Sequence, residues 1–283
     1  MPSAADFQNQ GNALALVGRY VMLVQEHLGV LQPGFGSDTH NVLNPATYTL
    51  HFTVGPVPAV RTLMCADIYT GLQPGSLPLY FLPWCQNAAT TMTIPAGGPA
   101  IFMTSMLSGC TVQVTGPTAT PKVTHANSSA KYNDGYGRMK KWLDGTHATA
   151  EQKHDGAEER ANRIATGAIN SMLPPAVGNV RTVRKSDYAG RCDNTHVMRA
   201  QRSFIDTLPA NKALGKFEVQ KLDLKPKTGA FVFGLRDGLG NWAFWYQAAV
   251  ELEIELQDKF GGGADEKLTM DSAVLGAPTQ FYP

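Results

Sequence analysis

The chain has 283 residues, 43% of them hydrophobic and 17% charged, and its 24 basic and 23 acidic side chains leave a formal net charge of +1. That balance gives no basic footprint for duplex nucleic acid and no pull toward an anionic membrane surface, so neither is an expected partner. The apolar fraction excludes wholesale disorder, and 28 Gly and 18 Pro without a period exclude a collagen-like chain, which leaves a packed globular protein.

The opening segment, residues 12–30, fits either a helix or a pair of strands. Its most apolar part, residues 13–24, is broken by Arg19 and falls short of the roughly 20 residues a bilayer core demands. No Lys or Arg precedes Arg19, so the basic start of a cleavable secretory signal is missing. Residues 1–120 carry charge only at Asp6, Arg19, Glu26, Asp38, Arg61 and Asp67, which marks this half as mostly interior. Within it, Tyr48, Leu50, Phe52 and Val54 alternate with Thr or His at the period of a half-buried strand. Short apolar runs at residues 62–69, 77–82, 111–115 and 122–125, punctuated by Pro and Gly, add further strands and predict a sheet sandwich.

Beyond residue 130 the texture changes, and helical spacing follows. Ala157, Ala161, Ile164, Ala165, Ala168 and Met172 share one face behind Asp155, which with Glu158 predicts a capped start, and Pro174-Pro175 predicts the end. Strands return at residues 231–235 and in the alternation of Val250, Leu252, Ile254 and Leu256 with Glu251, Glu253 and Glu255, joined through an Asp237-Gly238 turn into a long hairpin. Gly261, Gly262 and Gly263 predict a joint to a flexible tail over residues 261–283. The expected fold is therefore α+β: a β-sandwich core flanked by helices, a single catalytic domain over residues 1–260 with a helical insertion at about 145–215.

No phosphate-binding loop, dinucleotide fingerprint, HExxH or GxSxG is present, so no cofactor and no metal is expected. The four cysteines, Cys65, Cys85, Cys110 and Cys192, follow no CxxC or disulfide-framework spacing and read as free thiols. His147 with His154, and Cys192 with His196, are incomplete as ligand sets. Trp242 and Trp245 read as core, Arg181, Arg184 and Lys185 as a solvated basic cluster, and Cys85 as structural. Cys110 stands apart. It ends the run FMTSMLSGC behind Gly109, whose freedom allows a tight backbone approach that would turn the thiol toward a cleft. His125 lies fifteen positions on, after a Gly116-Pro117 turn, so adjacent strands can bring thiol and imidazole together. Such a pair lowers a thiol pKa and holds a thiolate for acyl-group chemistry; a free cysteine simply buried in the core is the common alternative.

The stretches FLPWCQN (residues 81–87), FMTSMLSGC (residues 102–110) and VTH (residues 123–125) resemble the Burkholderia lethal factor family, which shares an LxGC cysteine and a later histidine with the catalytic domain of the cytotoxic necrotizing factors. The match is strongest over residues 77–144. The resemblance implies a glutamine deamidase toxin or effector, made in a bacterial cytoplasm, delivered without a cleavable Sec signal and acting in a host cytosol on a host protein that presents a glutamine. It also implies Cys110 as nucleophile, His125 as acid and base, Thr104 as the third member, and Leu107, Ser108 and Gly109 as the motif around the oxyanion region. The alternatives are a non-catalytic β-sandwich binding module, and a transglutaminase or cysteine protease that uses the same pair.

Overall fold

A computed structural model describes residues 4–26, 40–54, 63–71, 74–175, 178–189, 217–258 and 266–283. The opening segment is a helix followed by a strand. Asn9 accepts the Asn12 N–H at 3.2 Å and starts α1 (Gln10–Arg19), which buries Ala13, Leu16 and Val17; Tyr20, in extended conformation, ends it and leads into β1 (Val21–Glu26).

Eight strands follow: β2 (His40–Leu43), β3 (Thr47–Val54), β4 (Leu63–Tyr69), β5 (Leu77–Leu82), β6 (Ala89–Thr93), β7 (Ile101–Thr104), β8 (Thr111–Thr115) and β9 (Lys122–Ala126). After the helices α2 (Ser129–Asp144) and α3 (Ala150–Met172) come β10 (Val180–Val183), α4 (Lys185–Ala189), the long hairpin β11 (Phe217–Arg236) with β12 (Trp242–Asp258), then β13 (Glu266–Val274) and β14 (Thr279–Tyr282). The larger sheet runs β1-β4-β3-β5-β7-β11-β12-β13, with β14 also on β12, and the smaller runs β10-β8-β9-β6-β2. Both are mixed, because β1–β4, β5–β7 and β2–β6 pair in parallel.

The period of two divides the larger sheet into two apolar faces. Leu79 and Phe81 of β5 join Phe7, Leu16, Leu50, Phe231 and Phe233 beneath α1, while Tyr80 and Leu82 join Phe102, Val112, Val123, Val232 and Phe244 between the sheets. Behind the smaller sheet, Ala89 and Ala126 pack on Ile169 of α3. The protein is thus the α+β sandwich with helical flanks that the sequence implies, in the layer order helix, sheet, sheet, helix. Among the described residues no helix is long and apolar enough to cross a membrane.

Expectations are corrected first at the helices and then at the tail. The cap of α3 is Thr149, not Asp155: Thr149 Oγ1 accepts the Gln152 N–H at 3.2 Å and the Gln152 side-chain Oε1 accepts the Thr149 N–H at 2.9 Å, so a reciprocal capping box forms upstream and Asp155 falls within the helix. Helical structure begins at Ser129, ahead of residue 145, and α2 lies close on α3 because Gly135 has no side chain; a Cβ there would sit 2.9 Å from Ile164 Cδ1.

The tail is corrected as well. The three glycines lie outside the described residues, but residues 266–282 are two strands on β12 rather than a flexible extension. The charges at residues 265–267 obscured what anchors them: Tyr282 is 1% exposed, packs edge-on to Phe244 at 5.7 Å and donates to the Gly116 carbonyl at 2.6 Å. Tyr282→Ala should cost about 3–5 kcal/mol, as expected for truncating a buried ring. Urea unfolding reads this directly, and a midpoint equal to wild type would show that Tyr282 does not anchor the tail.

Candidate active site

The loop between β7 and β8 is fixed residue by residue. Ser105 Oγ accepts the Trp84 N–H at 3.0 Å, and Leu107, fully buried, exchanges two backbone hydrogen bonds of 2.9 Å with Ala230 of β11. That approach needs Gly229, since a Cβ there would stand 3.0 Å from the Leu107 carbonyl oxygen. Gly109 has φ +97°, a conformation that side-chain-bearing residues avoid, and so makes the turn that the LSGC sequence suggests. Its N–H donates to Tyr188 Oη at 2.8 Å, and Tyr188 in turn donates to the Cys110 carbonyl at 3.2 Å. Tyr188 is fully buried on α4, so the insertion holds the cysteine loop from behind.

Register then places the thiol. Val112 pairs with His125 and Thr111 with Ala126, so the antiparallel ladder sets Cys110 opposite Asn127, with His125 one diagonal step away on the same inter-sheet face. Thr104 reaches that face from the other sheet. Its Oγ1 lies 2.7 Å from His125 Nδ1 and donates to the Leu82 carbonyl at 2.7 Å. A hydroxyl has one proton, and the carbonyl can only accept, so Oγ1 accepts from Nδ1–H. Nε2 therefore carries the lone pair. It is buried and, among the described residues, has no hydrogen-bond partner.

The thiol is held differently. Asn127 Nδ2 donates to Cys110 Sγ at 3.1 Å, while Asn127 Oδ1 accepts the N–H groups of Asn87 and Ser129, each at 3.2 Å. A cavity of about 210 Å³ opens beside the sulfur, lined by Cys110, Asn127, Ser105, Ser108, Met106 and Trp84, with Val24 at its side. No residue of this lining other than the cysteine is ionisable, and His125 is not part of it. Trp84, 38% exposed, stands at the rim.

Burial dominates the electrostatics. It pushes the Cys110 thiol up, partly offset by hydrogen bonds from Asn127 and the Ser108 backbone, and it lowers His125 from 6.5 to about 3. Burial likewise raises Tyr188. At neutral pH the thiol and imidazole both rest uncharged. The expectation of a resting thiolate is thereby corrected: no hydrogen bond joins Sγ to Nε2, and no formal charge beside them offsets desolvation.

The structure brings together Cys110, His125, Thr104, Leu107, Ser108 and Gly109 around one inter-sheet corner. Asn127 and Tyr188 join them without having been anticipated. Asn127 was open to discovery as the residue two after His125, on the same strand face; Tyr188, remote in sequence, gave no signal. Among the other candidates, Trp242 and Trp245 are buried core residues, Cys65 and Cys85 are free thiols, and Lys185 pairs with Glu158 at 3.6 Å. His154 sits exposed beside Asp155 and Glu158 on α3, and no group of three metal-ligating side chains occurs among the described residues, which do not include Cys192 and His196. No protein-family model and no curated protein matches the chain.

Proposed function

We propose that this protein is a cysteine-dependent glutamine deamidase that acts as a bacterial toxin or effector on a host protein. One observation carries the reading: Thr104 fixes the His125 tautomer that leaves a free lone pair on Nε2, on the same face as a cysteine that borders an uncharged cleft. A resemblance in the LPW, LxGC and VxH segments supports it.

Because the pair rests neutral, His125 acts first as base. As Sγ bonds to the carboxamide carbon, the thiol proton passes to Nε2 and the carbonyl electrons move to oxygen. The Cys110 N–H, which has no backbone acceptor among the described residues, is available to that oxyanion. The C–N bond then breaks as Nε2–H gives its proton to the departing nitrogen, releasing ammonia and leaving a thioester. Water gives a proton to Nε2 and adds to the thioester; collapse expels the sulfur, which recovers the proton, and the side chain leaves as glutamate.

An uncharged lining suits a neutral carboxamide and offers nothing to grip the charges of free glutamine, so binding comes from the protein surface around the side chain. Ammonia release from folded proteins, measured with and without a primary amine, tests this. Water should be the preferred acceptor and free glutamine a poor substrate; faster amine incorporation would identify a transglutaminase, and cut peptide bonds a protease.

A further inference from the structure

We infer that Asn127 is a catalytic residue of this site, a side-chain donor that serves first the Cys110 sulfur and then the oxygen of the carbonyl it attacks; the second of these tasks rests on the deamidase reading. Three observations carry the inference. The Asn127 amide nitrogen touches the reacting atom, 3.1 Å from Sγ. Its orientation is fixed, because Oδ1 accepts two main-chain N–H groups, and a flipped amide would set N–H against N–H at both. The residue is 7% exposed yet lines the cavity, so its amide meets whatever enters.

An NH₂ group has two donor hydrogens, and sulfur takes one. The other has no acceptor among the described residues. During attack, negative charge moves from sulfur to the carbonyl oxygen, an adjacent position, so one immobile amide can follow it without rearranging. Asn127 is locked further by its own N–H, which donates to the Ala88 carbonyl at 3.0 Å. The titratable groups facing the sulfur are His125 on β9 and Tyr188 on α4, both uncharged at neutral pH. The amide is therefore the polar side chain within hydrogen-bonding distance of the thiol that can favour its ionised form.

Asn127→Asp keeps the shape and the Oδ1 acceptor but replaces the donor with a carboxylate oxygen, and Asn127→Ala removes both. The rate of Cys110 alkylation by iodoacetamide across pH 6 to 10 reads the thiol without requiring turnover. In Asn127→Asp the midpoint should rise by about one unit or more, and ammonia release should fall about 100-fold, a typical loss for one oxyanion donor. Asn127→Ala should shift the midpoint in the same direction by less. In unmodified protein, the Asn127 side-chain ¹⁵N resonance should titrate with the alkylation midpoint, which keeps the inference testable if neither variant folds. A midpoint unmoved in a folded variant, or a resonance indifferent to thiol ionisation, overturns it. A shifted midpoint in a protein whose wild type releases no ammonia would support the thiol contact and refute the deamidase reading.

Discussion

Cys110→Ser is expected to stop ammonia release, by about four orders of magnitude or more, while the protein stays folded. A hydroxyl is a far poorer nucleophile than a thiol, and a single neutral imidazole that carries no carboxylate partner activates it weakly. Stability should change by about 1 kcal/mol or less, since the swap removes little volume and Asn127 Nδ2 can donate to the new oxygen as it does to Sγ. Ammonia measured after hours of incubation, beside a urea unfolding curve, separates the outcomes. A folded Cys110→Ser protein with activity near wild type would remove the cysteine from the chemistry.

His125→Gln should lose activity to a similar degree and should also change how stability depends on pH. The His125 imidazole titrates at about 3 when folded and at 6.5 when free, because burial opposes its charge. Between these values the unfolded chain binds a proton that the folded protein does not, so stability is complete above about 6.5 and is lost as pH falls toward 3, at up to about 1.4 kcal/mol per pH unit. Carboxylates titrate in the same range, so the informative quantity is the difference between wild type and variant. Urea midpoints from pH 4.5 to 7.5 should converge as pH falls, with wild type losing its lead. Parallel curves would mean that the histidine titrates normally in the folded protein.

The strands were legible where chemistry alternates and illegible where it does not. β3, β5, β8 and β9 stand out through side chains of opposite character or through Pro and Gly at their ends. β6 and β7 lie between other strands with nearly every residue buried, so in Ala89–Thr93 and Ile101–Thr104 polar and apolar side chains do not alternate to reveal a strand. The hairpin was legible from its Asp-Gly turn, the tail was not, because Phe281 and Tyr282 act through contacts distant in sequence with Phe244 and Tyr246. At the site, the interval between Cys110 and His125 proposed neighbouring strands, and the ladder makes them diagonal neighbours. Their charge state could not be read in advance. It depends on burial from both sheets, and on Thr104 and Asn127 each taking one partner of the pair, which leaves His125 Nε2 without one.

The proposed chemistry turns on whether Cys110 converts a protein glutamine to glutamate. Wild-type and Cys110→Ser protein, each incubated with host cell lysate in H₂¹⁸O, provide the most direct measurement, since a glutamate formed by hydrolysis carries one oxygen from water. Mass spectrometry should find one or a few glutamines converted with ¹⁸O incorporated by the wild type, ammonia released in equal amount, and neither change with Cys110→Ser. Conversion by both proteins alike, or an unmodified lysate in the presence of folded wild type, would contradict the proposal.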